Sequence, residues 1–176
     1  MSVFKEDSAL VIADMIYDFV DADGKLYVPG IEEILPFLAS LINEARGLGV
    51  PVIYVNDAHD PDDAEFRLWG EHAVAGTLGT KVVPEIAPIE GDYVLDKKRY
   101  SVFYNTGIED LLARLGVKHL VITGTVTNIC VLVSAIEGLM RGYAVTVPRK
   151  AVKALIEADG DFALDQIERV FGGKVV

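Results

Sequence analysis

The order in which apolar runs and amphipathic stretches alternate constrains this chain more than any other feature. Short apolar runs are separated by longer segments whose apolar residues recur at helical spacing, the mark of a parallel sheet covered by helices on both faces. Ala9 to Ile16 reads as a buried strand, and Ile31 to Leu48 as a helix with Ile34, Phe37, Leu38, Leu41, Ile42 and Ala45 on one face and Gly49 as its stop. Val52 to Val55 and Tyr93 to Leu95 read as strands; Thr106 is the expected N-cap of a helix from Ile108 to Leu115, closed by Gly116. Leu120 to Thr123 reads as the central strand, followed by a helix from Asn128 to Arg141, a strand at Ala144 to Val147, a helix near Phe162 to Phe171 and an edge strand at Lys174 to Val176. The expectation is a three-layer α/β/α sandwich around a mostly parallel central sheet. With 176 residues and no repeat or linker, residues 1–176 are expected to form one domain.

Charge and cysteine usage narrow the partners. Sixteen basic against 27 acidic residues give a net charge of −11, which argues against nucleic-acid phosphate or anionic lipid as the main partner. No apolar run approaches the roughly 20 residues that span a bilayer. Met1 to Ser8, with Lys5, Glu6 and Asp7, lacks a signal peptide's layout, and the single cysteine forms no internal disulfide. A cytoplasmic, homo-oligomeric protein acting on a small molecule is expected.

Two segments break the strand–helix rhythm, Asn56 to Pro84 and Asp96 to Thr106, and loops at strand carboxyl ends line the crevice of an open α/β sheet. Cys130 falls in the first turn of the helix after the central strand, where free N–H groups and the helix dipole favour the thiolate. Alone, it reads equally well as a small buried filler. Asp14 sits in an apolar strand, where an unpaired carboxylate is costly, or else it caps the next loop. Lys97 is ambiguous within the run Lys97-Lys98-Arg99. Together, Asp14, Lys97 and Cys130 supply what thiol nucleophilic chemistry requires: a carboxylate to take the proton, an ammonium to favour charge, and the sulfur. The long loop holds Asp57, His59, Glu65 and His72, a set that suits a divalent ion such as Zn²⁺, Fe²⁺ or Mn²⁺, zinc first among them. Without further context the same loop reads as a polar turn around Asp60-Pro61-Asp62-Asp63, and Phe66 and Trp69 as loop-anchoring aromatics.

These segments resemble the isochorismatase-like cysteine hydrolases, and among them most closely the nicotinamidases. The likeness runs along almost the whole chain. Its most specific parts are Lys97-Lys98-Arg99-Tyr100-Ser101-Val102-Phe103 and Gly124-Thr125-Val126-Thr127-Asn128-Ile129-Cys130, with Asp14-Met15-Ile16-Tyr17-Asp18-Phe19 as a third match. The resemblance implies the isochorismatase-like hydrolase fold and a catalytic triad of Asp14, Lys97 and Cys130. It further implies an oxyanion hole from the N–H groups of Val126 and Cys130, a cis peptide between Thr125 and Val126, and a pyridine-sized pocket walled by Phe19, Trp69 and Tyr100. It implies a metal held by Asp57, His59, Glu65 and His72, and hydrolysis of nicotinamide to nicotinate and ammonia through a cysteine thioester, a step of NAD salvage. Relatives that cleave N-carbamoyl compounds or other amides share the triad, so another amide hydrolase is the alternative, and a non-catalytic binding module a more distant one. Two departures stand out: the compact spacing from His59 to His72, and Lys150 where relatives often carry an acidic residue.

Overall fold

In β1 (Ser8–Ala13) six successive residues are buried, and their side chains divide by parity. Leu10 and Ile12 enter one apolar cluster, while Ala9, Val11 and Ala13 enter another on the opposite face. Burial on both faces is what a parallel strand between two helical layers requires. The structure, a computed structural model, describes residues 2–176; Met1, the first residue of the expected domain, lies outside the described residues.

After β1 come α1 (Tyr17–Val20), α2 (Leu35–Gly47), β2 (Val52–Asp57), α3 (Phe66–Trp69) and β3 (Tyr93–Lys97). Next are α4 (Ile108–Arg114), β4 (His119–Thr125), α5 (Leu132–Met140), β5 (Ala144–Val147), β6 (Val152–Lys153), α6 (Glu157–Asp165) and β7 (Lys174–Val175). The seven strands form one sheet of order β3-β2-β1-β4-β5-β7, with β6 paired to the end of β4. Every strand pairing is parallel. On one face α2 buries Leu38, Leu41, Ile42 and Ala45 against Leu10 and Ile12. On the other, Leu111 and Leu112 of α4, Ala135 of α5 and Leu164 of α6 pack with Val11 and Ile122. The three-layer α/β/α sandwich follows from those two clusters.

Several boundaries differ from expectation for local reasons. β1 stops at Ala13 because Asp14 adopts φ 56°, which turns the chain out of the sheet. β2 and β3 run on to Asp57 and Lys97, which are register partners, so polar residues complete both strands. Thr106 is not the N-cap of α4; Gly107 is, at φ 77°, while the Thr106 hydroxyl accepts the Ile108 N–H at 3.3 Å. The helix expected from Asn128 starts as a π-type turn over Thr127–Val131 before α5. β6 was not anticipated, being only two residues long.

The strand order reverses between β1 and β4, and in open α/β sheets that reversal opens a crevice at the carboxyl ends. The last register pair there is Ala13 with Gly124. Gly124 sits at φ 104°, and a Cβ on it would lie 2.0 Å from the Ala13 carbonyl oxygen, so only glycine lets the two strands meet here.

Candidate active site

The crevice gathers the ends of four strands around one ammonium. Asp14 follows β1, Asp57 ends β2, Lys97 ends β3, and Cys130 stands in the turn after β4. Lys97 Nζ lies 2.8 Å from Asp14 Oδ2 and 2.6 Å from Asp57 Oδ1, and donates to Cys130 Sγ at 3.6 Å. The Asp57 N–H donates to Asp14 Oδ1 at 2.7 Å, which aims the other Asp14 oxygen at the lysine and the sulfur. Asp14, Lys97 and Cys130 are 0, 1 and 5% exposed, so bulk water screens none of these contacts.

Burial dominates the titration of this cluster. Burial, then the neighbouring Asp57 charge, raises the Asp14 carboxyl to about 6 against the pull of Lys97. Burial lowers the Lys97 ammonium, but Asp14, Asp57 and Cys130 reverse this, and its pKa ends well above the usual lysine range. Burial likewise pushes the Cys130 thiol well above its ordinary range; Lys97 opposes the rise while Asp14 and Asp57 add to it. That direction runs against the free thiolate expected from a helix N-terminus. The turn that carries Cys130 places it under cover and facing two carboxylates, and both oppose the charge that the backbone dipole favours.

Beyond Asp57 the long loop folds back on itself. The His59 N–H donates to the Ala73 carbonyl at 2.8 Å and the Ala75 N–H to the His59 carbonyl at 2.9 Å, which brings His72 beside His59 with ring centroids 4.8 Å apart. Asp57, His59 and His72 each offer a donor atom within 4.8 Å of the others. The His72 Nδ1–H donates to the Gly70 carbonyl at 2.8 Å, leaving Nε2 free, and burial lowers the His72 pKa toward the neutral, ligating form. His59 Nε2 is buried without a hydrogen-bond partner, 3.7 Å from Asp57 Oδ2. Burial lowers the His59 pKa, but Asp57 and Asp63 more than offset it, so this spot favours positive charge. One carboxylate oxygen and two imidazole nitrogens, one of them (His59 Nε2) buried without a partner, fit a borderline divalent ion. Glu65, expected as a fourth ligand, is not in this group: it clusters with His59 and Asp63, and its carboxylate lies 3.8 Å from Arg99.

Both clusters open into one cavity of about 370 Å³ whose walls include Phe19, Trp69, Tyr100, Val126 and Cys130, with Asp57, Glu65 and His72 among its polar residues. The Trp69 indole N–H donates to the Tyr100 hydroxyl at 3.1 Å, and the Phe19 ring meets His72 edge-on at 5.8 Å. The Thr125–Val126 peptide is cis. A larger cavity of about 500 Å³ lies alongside, bordered by Thr127, Arg149, Lys153 and Leu155, and contains none of the triad. Sequence reasoning missed Asp63 and Arg99, which brace the loop, although a carboxylate four residues after His59 was a usable signal. It also missed Asp18, whose Oδ2 accepts the Ala73 N–H at 2.7 Å and so fixes the backbone next to His72.

Comparison with known proteins bears on the family. The isochorismatase domain model matches residues 8–175. N-carbamoylsarcosine amidase from Thermoplasma acidophilum is 38% identical, with a TM-score of 0.88 over 96% of this chain and 95% of that one. The pyrazinamidase/nicotinamidase of Streptococcus mutans is 30% identical, with a TM-score of 0.91 over 96% of this chain and 99% of that one. Pyrazinamidase of Pyrococcus horikoshii, solved in complex with zinc, is 29% identical, with a TM-score of 0.91 over 97% of this chain and 98% of that one. A domain model that takes in β1 through β7, and relatives superposing along nearly their whole length, place this chain in the isochorismatase family of hydrolases.

Proposed function

We propose that this chain is a nicotinamidase, cleaving nicotinamide to nicotinate and ammonia with Cys130 as nucleophile. The observation that carries the reading is the adjacency of two clusters in one cavity, Asp14–Lys97–Cys130 and Asp57–His59–His72, bridged by Lys97 contacts to both Asp14 and Asp57. Phe19, Trp69 and Tyr100 provide aromatic walls suited to a flat azine ring. The reading takes residues 1–176 as one domain, cytoplasmic and homo-oligomeric.

In this mechanism Asp14, raised to about 6, is matched to accept and return a proton near neutrality. It takes the Cys130 proton as the sulfur attacks the carboxamide carbon, while Lys97 steadies the charges that develop. The carbonyl oxygen becomes an oxyanion received by the N–H groups of Val126 and Cys130, donors worth about 3 kcal/mol each in other enzymes. Protonated Asp14 gives its proton to the departing ammonia and then takes one from the water that hydrolyses the thioester. Asp57, His59 and His72 would hold the metal, with Zn²⁺ the expected ion, and Glu65 lines the same cavity. A divalent ion there supplies a Lewis-acid contact that orients the substrate's ring nitrogen.

An N-carbamoyl acid is the second reading. It is favoured by Lys25, a half-exposed ammonium at the cavity wall whose present partner is Glu71 and which would exchange that partner for a substrate carboxylate, a group nicotinamide lacks. The deciding measurement is ammonia release from nicotinamide and from N-carbamoyl amino acids, with and without chelator, using Cys130→Ala as control. Metal-dependent release from nicotinamide that is lost in the variant supports the proposal. Chelator-insensitive turnover of the N-carbamoyl substrates alone would move the assignment to the second reading, and turnover by Cys130→Ala would end the covalent mechanism.

A further inference from the structure

Asp63 is the most firmly held carboxylate of the long loop, yet neither the triad nor the three-ligand cluster uses it. Its side chain is 5% exposed. Arg99 Nη1 donates to its two oxygens at 3.1 and 3.0 Å, the Glu65 N–H donates to Oδ1 at 2.9 Å, and the His59 ring meets Oδ2 through Nδ1 at 3.2 Å. A carboxylate gripped by a guanidinium can only accept, so in the neutral ring Nδ1 carries the His59 proton and the lone pair lies on Nε2. That is the buried nitrogen with no partner, facing Asp57.

We propose that Asp63, anchored by Arg99, is a positioning residue for the metal centre: it selects which nitrogen of His59 faces the ion and holds the ring in that pose. The inference rests on reading Asp57, His59 and His72 as the ligands. His59, Asp63 and Glu65 also bring donor atoms within 4.8 Å of one another and could be taken for a second ion site. Arg99 decides against that, because its guanidinium, 3.0 Å from Asp63 and 3.8 Å from Glu65, already supplies the cation there. Within the segment from Lys97 to Arg99, two of the grips on the loop bear on the centre: Lys97 holds Asp57, a ligand, and Arg99 holds Asp63, which orients a ligand. Carboxylates behind a ligating imidazole typically contribute about 10–100-fold in metal affinity.

The test is the Zn²⁺ dissociation constant of the full chain, measured by competition with a chromophoric chelator. The proteins compared are wild type, His59→Ala, Asp63→Ala, Asp63→Asn, Arg99→Gln and the Asp63→Ala/Arg99→Gln double variant. Asp60→Ala, in the same turn but paired with exposed Lys98, is the control. Asp63→Ala is expected to weaken Zn²⁺ binding about 10–100-fold, Arg99→Gln less, and the double variant no more than Asp63→Ala alone, because Arg99 acts through Asp63. Nitrogen-15 NMR of metal-free protein should show His59 protonated at Nδ1 in wild type and a tautomer mixture in Asp63→Ala, a change that loss of loop rigidity alone would not produce. Should Asp63→Ala misfold, Asp63→Asn and Arg99→Gln decide by the same two readouts. Unchanged Zn²⁺ affinity in the Asp63 variants, with binding lost in His59→Ala, overturns the positioning role alone. Wild-type affinity in His59→Ala overturns the ligand reading and this inference with it.

Discussion

Lys97 touches Asp14, Asp57 and Cys130 at once from a position that is 1% exposed, so its removal strands two buried carboxylates. Lys97→Met is expected to cost about 3–5 kcal/mol, read by urea denaturation, and to abolish ammonia release. Cys130→Ala removes a thiol and no countercharge, so it should lose activity with a far smaller stability change. His119 offers an independent check at the opposite end of the sheet. Its ring nitrogens meet Ser8 Oγ at 2.7 Å and Thr146 Oγ1 at 2.8 Å, and burial, followed by Lys5, lowers its pKa. A histidine held neutral in the folded state contributes stability that is full above about pH 6.5; it is lost as the unfolded chain takes up its proton below that value. The melting temperature of His119→Gln should therefore fall less than that of wild type between pH 8 and 5.5, and an equal fall would rule out this role. At this scale the sequence revealed residues whose type conflicts with their surroundings, such as Asp14 in an apolar run and a lone cysteine after a central strand. Asp63 and Arg99 stayed hidden because both look like ordinary surface charge until the loop folds back and buries one of them.

Strands and turns aim these side chains, and the tightest constraint is where β1 and β4 converge. Gly124→Ala would force a methyl group to within 2.0 Å of the Ala13 carbonyl at a backbone angle of φ 104°. The expected outcome is a loss of about 3 kcal/mol or failure to fold, measured by denaturation. In any folded fraction the rate of Cys130 alkylation should change, because the displaced strand carries the turn that holds the sulfur. Apolar runs located β1, β2, β4 and β5 well, since burial on both faces writes itself as continuous hydrophobic sequence. The polar carboxyl ends of β2, β3 and β4 were cut short in that reading, whereas β1 was carried past Ala13 to Ile16. Asp57 and Lys97 do not look like strand residues, and they belong to β2 and β3 because their charges are satisfied across the crevice. The π-type turn over Thr127–Val131 and the brief β6 have no periodicity long enough to be seen.

Across the whole molecule, the alternation of strands and helices was enough to indicate a layered parallel sheet, whereas the strand order was not, because register partners lie far apart in the chain. β1 pairs on one side with β2 and on the other with β4, joining Ser8 to His119. That central pairing has a kinetic meaning. Long-range parallel contacts close large loops and form late, so no early compact species can contain the finished crevice. Cys130, the only thiol, becomes a built-in clock for this event. In refolding pulsed with a small alkylating reagent, Cys130 should remain reactive while helical circular dichroism recovers, and become shielded only with the slowest phase. Protection in step with the first helices would mean that the carboxyl-terminal half seals the sulfur before β1 arrives.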